Sequence, residues 1–138
     1  EAIEVNKFMI PQHKKSKILV VEDDQSLQSM YRFKLETLGY DVAVAENGKT
    51  GLHKAEEFLP ELILLDLMMP LMSGSEMLEQ LRKTTWGANM HVIILTNISR
   101  DEAPSVLRFL SVDRYVVKAH TTPTQVVNVI NEVLGSHK

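Results

Sequence analysis

From Lys17 onward the chain alternates two kinds of apolar pattern. Ile18-Leu19-Val20-Val21 and Leu62-Ile63-Leu64-Leu65 are short unbroken runs with no polar side. Such runs suit strands covered on both faces, as in a parallel sheet. Between them apolar residues recur at near-helical spacing: Leu27, Met30, Tyr31, Phe33 and Leu35 predict a helix that Gly39 closes. Asp41 to Ala45 predicts a second strand, Asn47-Gly48 a turn, and Leu52, Ala55 and Phe58 a helix ending at Pro60. Beyond Leu65 a loop through Pro70 and Gly74 leads to a helix carrying Met77, Leu78 and Leu81. His91 to Leu95 is a fourth strand. A short fourth helix is expected next, capped by Ser99 with Glu102 three residues on and limited at its front by Pro104. Tyr115 to Val117 makes a fifth strand. Thr122-Pro123 opens the last helix with proline at its first position, and Val126, Val127, Ile130 and Val133 give that helix an apolar stripe.

Five strands alternating with five helices predict an α/β domain. Right-handed crossovers favour a flavodoxin-like, doubly wound, five-stranded parallel sheet in the order 2-1-3-4-5. The 138 residues suit one domain, placed at 17–138. Residues 1–16 have no clear period and end in the basic His13-Lys14-Lys15; they read as a linker or appended extension, in which Phe8, Met9 and Ile10 could dock. The chain opens on Glu1 and not on methionine, so processing or excision from a longer protein is expected.

Composition removes several function classes. Without cysteine there are no disulfides, zinc-thiolate sites or thiol catalysis. A formal net charge of -3 gives no basic face for direct nucleic-acid binding. The longest apolar runs are too short to cross a bilayer, and the start lacks the pattern of a signal peptide. No membrane association is expected, and a cytoplasmic location is. The five histidines are scattered without ligand spacing, Trp86 reads as packing, and the seven methionines read as core and loop filler.

In a doubly wound sheet ligands collect beyond the carboxyl ends of the strands. Glu22 and Asp23 follow strand one, Asp66 strand three, Thr96 strand four and Lys118 strand five. Alone, each has a plain explanation: acids favour a helix N-terminus, threonine caps helices, and lysine decorates surfaces. Together they place three acids, a hydroxyl and an amine on one edge. Clustered carboxylates need a compensating cation, and an all-oxygen set suits Mg2+ or Mn2+. Such an ion would neutralise an incoming phosphoryl group, with Lys118 as fixed charge and Thr96 as hydrogen-bond donor.

The segment Lys17-Ile-Leu-Val-Val-Glu-Asp-Asp24 resembles the opening strand and acidic pair of bacterial response-regulator receiver domains of two-component systems, the chemotaxis-regulator type. Leu65-Asp66-Leu67-Met68-Met69-Pro70-Leu71-Met72-Ser73-Gly74 is similar to their phosphoacceptor loop, Ala45-Glu46-Asn47-Gly48 to their turn before helix two, and Tyr115-Val116-Val117-Lys118 to their fifth strand. The resemblance covers roughly residues 17–134 and implies a phosphorylation-dependent switch. It makes Asp66 the phosphoacceptor, with the metal held by Asp23 directly, by Glu22 through water, by Asp66 and by the backbone carbonyl of Met68. Thr96 and Lys118 would bind phosphoryl oxygens, and Tyr115 would be the aromatic switch that follows Thr96. The implied partners are a histidine kinase or phosphotransfer protein as donor, and a downstream protein or second copy at the face of helix four, strand five and helix five. That face would include Arg108, Arg114 and Val116. The chain would promote its own phosphorylation and dephosphorylation without being a classical enzyme.

Three positions depart from the family pattern: Asn97 in place of a small residue, Ile98 in place of a frequent polar one, and Ala119 in place of proline. Asn97 is expected to narrow access to Asp66. Met68 and Ile98, unable to orient water, are expected to prolong the phosphorylated state. The Lys118–Ala119 bond is expected to be trans, because cis costs alanine roughly 2.5–4 kcal/mol. Two rivals remain. A metal-dependent phosphohydrolase of the haloacid-dehalogenase style would want an acid where Met68 stands, and a cap that this chain lacks the residues to build. A degenerate receiver used only for docking would not need the complete set of acids, threonine and lysine.

Overall fold

The computed structural model describes residues 16–135, so the segment 1–15 with Phe8, Met9 and Ile10 lies outside the described residues. Strands β1 (Lys17–Val21), β2 (Asp41–Ala45), β3 (Leu62–Leu65), β4 (His91–Thr96) and β5 (Arg114–Val117) form a parallel sheet ordered β2-β1-β3-β4-β5. Val21 pairs with Ala45 and Leu65, Leu65 with Ile94, and Thr96 with Val117. The strands therefore run out along one edge, and the residues just past their ends become neighbours there.

Side chains alternate across the sheet, and both faces are apolar. Ile18, Val20, Leu62, Leu64, Ile93 and Leu95 pack on one side against α1 (Gln25–Thr37) and α4 (Pro123–Gly135). Leu19, Val21, Ile63, Leu65, Val92 and Ile94 pack on the other against α2 (Gly48–Phe58) and α3 (Gly74–Arg82). This double coverage is why the strand runs carry no polar side. Trp86 packs against the second cluster, as the sequence predicts.

Local chemistry sets the helix ends. The Asp24 carboxylate accepts from the backbone N–H of Ser26 (2.9 Å) and Leu27 (3.1 Å), capping α1, and Gly39 at φ +98° turns the chain out of it. Asn47 caps α2, and Ser73 and Glu76 form a capping box at α3. Thr122 and Gln125 reciprocate at α4, with Pro123 at the first helical position. Among the described residues no helix is long and apolar enough to cross a membrane.

The structure corrects the sequence reading at two places. The expected fourth helix is two 3-10 turns, Arg100–Glu102 and Ser105–Phe109, so the described residues hold four α-helices where five were predicted. Ser99 makes no side-chain cap bond. Pro104 brings no N–H and forces Ala103 into an extended conformation (φ -64°, ψ 145°), which splits the segment. Phe33 is 72% exposed and does not join the core. It stands two residues from both Tyr31 and Leu35, a spacing that turns it to the opposite side of the helix. Asp113 and Arg114, both exposed, are engaged: Asp113 accepts from the Val92 N–H at 2.9 Å, and Arg114 pairs with Glu132 at 3.1 Å. No peptide bond among the described residues is cis, so Lys118–Ala119 is trans as expected, and a 3-10 turn over Lys118–His120 redirects the chain.

Candidate functional site

The sheet edge brings Glu22, Asp66, Thr96 and Lys118 together, all but the lysine nearly or fully buried. The Lys118 ammonium lies 2.7 Å from Glu22 Oε1 and 3.1 Å from Asp66 Oδ2. One cation thus serves two buried carboxylates. Burial pushes the Glu22 carboxyl above its ordinary range, against the hydrogen bonds it accepts from Lys118 and the Asp24 N–H. Burial pulls the Lys118 ammonium down, but its hydrogen bond to Glu22 and the charge of Asp66 outweigh that and raise it. The lysine therefore stays charged at neutral pH.

Asp23 is exposed and has no hydrogen-bond or ion-pair partner among the described residues. Its carboxylate, with those of Glu22 and Asp66, offers oxygens that all lie within 4.8 Å of one another. Among the described residues this is the one group of acids and histidines with such spacing. Three hard oxygen donors, with one ammonium against three negative charges, fit a small divalent cation. The Met68 N–H donates to Asp66 Oδ1 at 3.3 Å, and nothing among the described residues donates to the Met68 carbonyl, which is left free to act as a further ligand.

The loop after β3 needs glycine at position 74. A Cβ there would stand 2.1 Å from the Asp66 carbonyl oxygen. On the other flank the fully buried Thr96 hydroxyl accepts from the Ile98 N–H at 3.4 Å. Asn97 is exposed, and Ile98 is half-buried. Tyr115 donates its hydroxyl to the Ile98 carbonyl at 2.7 Å, which ties the fifth strand to the segment that follows Thr96.

The acids, Thr96 and Lys118 singled out from the sequence meet at this edge, and Tyr115 is tied to it through Ile98. Sequence reasoning missed the residues that hold them. Gln28 donates its side-chain amide to the carbonyls of Glu22 (2.9 Å) and Ala45 (3.1 Å), fastening the ends of β1 and β2 to α1. Arg100 donates to the Tyr115 carbonyl at 2.9 Å and stacks 5.5 Å from the centre of its ring. Neither carries a local signal, because both bonds join residues brought together only by the fold. Asp24 did carry one, as an acid just ahead of a helix.

A doubly wound sheet whose carboxyl edge gathers acids, a threonine and a lysine defines a class of phosphoryl-handling domains. The chain matches the model of the response regulator receiver domain over residues 18–131, and it belongs to that family of two-component signalling domains. It is 39% identical over 103 residues to the alkaline phosphatase synthesis transcriptional regulatory protein PhoP of Bacillus subtilis, covering 74% of this chain and 42% of that protein. The chain spans about half the length, or less, of the first curated relatives it matches. Among solved structures, the CheY-like receiver domain protein of Methanospirillum hungatei superposes with a TM-score of 0.79 at 30% identity, over 89% of this chain and 96% of that one. The receiver domain of the sensor histidine kinase PA1611 from Pseudomonas aeruginosa superposes with a TM-score of 0.78 over 88% of this chain and 99% of that one. At 22% identity that likeness carries the fold alone; its structure holds a magnesium ion in the active-site cleft.

Proposed function

We propose that the domain switches by phosphorylation of Asp66. The observation that carries this is the Lys118 ammonium bridging buried Glu22 and Asp66, beside the unpaired carboxylate of Asp23 and the buried hydroxyl of Thr96. A phosphohistidine of a histidine kinase or phosphotransfer protein is the donor. An Asp66 oxygen attacks its phosphorus, the N–P bond breaks, and the imidazole leaves with the electron pair and takes up a proton. Lys118 and Thr96 hold the phosphoryl oxygens in place of the contacts they make before transfer. Asp23, Asp66 and the Met68 carbonyl would hold Mg2+ or Mn2+ directly and Glu22 through water, and the ion would offset the negative charge of the transferring group.

No separate substrate is turned over, so the domain acts on itself and is not a classical enzyme. Movement of Thr96 towards the phosphoryl group pulls on the Ile98 segment, which Tyr115 holds by its hydroxyl. The change reaches the face formed by residues 100–109, β5 and α4, where Arg108, Arg114 and Val116 meet a downstream protein or second copy. The site lies in a cytoplasmic domain that needs no contact with nucleic acid or membrane. Incubation with acetyl phosphate or phosphoramidate and Mg2+ is expected to label the wild-type protein. Label should vanish in Asp66→Asn and on chelation of the metal. Undiminished incorporation in either case would remove Asp66, or the metal, from the mechanism.

A further inference from the structure

Tyr31 of α1 is 4% exposed, and its hydroxyl has no hydrogen-bond partner among the described residues. Buried hydroxyls in folded proteins are almost always paired, and an unpaired one calls for an explanation. The ring borders a narrow space shared with Val20, Val21, Glu22, Leu64, Asp66 and Leu95, too tight for a water molecule. The side-chain acceptors in that space are the two carboxylates. Asp66 is taken up by Lys118 and the Met68 N–H, and Glu22 by Lys118 and the Asp24 N–H. Burial, with the nearby charge of Glu22, pushes the Tyr31 phenol up to about 12, so it remains a donor at neutral pH.

We infer that Tyr31 is a positioning residue, its hydroxyl held beside Glu22 as the donor that carboxylate takes when the Lys118 ammonium leaves it for the phosphoryl group on Asp66. The inference rests on the reading of Asp66 as phosphoacceptor. A phosphoryl group brings roughly -1.5 to -2 charges to the site and competes for the one shared ammonium. Glu22 then keeps the Asp24 N–H and a water-mediated link to the metal but loses its direct cationic partner, which is costly for a buried carboxylate. Glu22 and Tyr31 line the same narrow space, so on this inference the new bond asks for side-chain movement alone. An idle hydroxyl in the unphosphorylated state becomes a used one in the phosphorylated state.

Two measurements test this. First, urea unfolding of metal-free protein at pH 8 is compared for Tyr31→Phe and Lys118→Met, singly and combined. Tyr31→Phe alone should leave the unfolding equilibrium unchanged or shifted towards the folded state. In the Lys118→Met background it should shift it about tenfold or more towards unfolding, as loss of a hydrogen bond to a charged group does. Equal effects in both backgrounds overturn the inference. Second, uptake of beryllofluoride with Mg2+, a phosphoryl mimic, is followed by calorimetry. Tyr31→Phe should bind it about five- to tenfold more weakly than wild type, and Tyr31→Leu should be weakened at least as much. Weakening confined to Tyr31→Leu assigns the effect to ring packing and overturns the inference, as does unchanged binding in both. If the wild type takes up no beryllofluoride, the reading of Asp66 fails by itself, and the unfolding comparison still decides the role of Tyr31.

Discussion

At the scale of single residues, the reactivity of the site follows from what flanks Asp66. Hydrolysis of an aspartyl phosphate needs a water held in line with the phosphorus. Met68, 61% exposed, and half-buried Ile98 stand two residues beyond Asp66 and Thr96, and neither side chain can hold a water by hydrogen bonding. A long-lived phosphorylated state is expected. Replacing Met68 with Glu or Ile98 with Gln should shorten it, by up to about a hundredfold, the low end of what one well-placed group supplies. The decay of phosphoprotein after removal of the donor measures this, and unchanged decay in both variants would dismiss the shielding role. Asn97 is exposed and makes no hydrogen bond to Asp66.

At the scale of elements, the segment 99–111 holds two 3-10 turns in place of an α-helix, and two residues bear on its shape. Pro104 breaks it into 3-10 turns. Proline costs about 3 kcal/mol more than alanine inside a helix, so Pro104→Ala should let the two turns join into one α-helix. Backbone chemical shifts over residues 99–110 and far-UV circular dichroism would register the gain; an unchanged spectrum would assign the break to packing instead. Arg82 anchors the far end of the segment. Its guanidinium donates to the carbonyls of Leu110 (2.8 Å), Gly87 (2.9 Å), Ala88 (3.3 Å), Met90 (2.8 Å) and Ser111 (2.9 Å), joining the end of α3 to two loops. Arg82→Met keeps much of the aliphatic stem and leaves those carbonyls without their donor. A loss of at least about 1.5–3 kcal/mol is expected, the value of charge-assisted hydrogen bonds, with faster amide exchange at residues 84–90 and 110–111. Denaturant unfolding and hydrogen exchange read the two effects separately.

At the scale of the whole molecule, the buried groups of the site contribute to the expected loss of stability in alkali. Lys118 and Tyr31 both hold their protons more tightly in the folded protein than in the unfolded chain. A raised folded value means that their contribution is fully present below the ordinary lysine and tyrosine range and is lost as pH rises through the folded values. Stability should therefore be flat from pH 8 to about 10 and fall steeply above it. The slope should be shallower in Lys118→Met, which removes one of the two groups. Urea midpoints measured across this range check the sign, and a midpoint that rises with pH above 10 would contradict it. Towards acid, Glu22 works the other way from an ordinary paired carboxylate. Its raised value favours the folded protein below the usual glutamate range, and that contribution is lost as pH rises through the folded value, so Glu22 does not drive acid unfolding.

The sequence by itself determined the five strands and the residues at their carboxyl ends. These depend on short-range signals: apolar runs, capping residues, and acids or hydroxyls placed where strands stop. The exposure of Phe33 was legible too, since two residues along a helix do not share a face. Tertiary structure alone decided who shares a partner with whom. That one Lys118 ammonium spans Glu22 and Asp66, that Arg82 reaches the carbonyls of Leu110 and Ser111, and that Tyr31 shares a tight space with Glu22, Asp66 and Leu95 are arrangements no local signal announces. Their geometry is fixed by strand register and packing, and those arise only when distant segments meet.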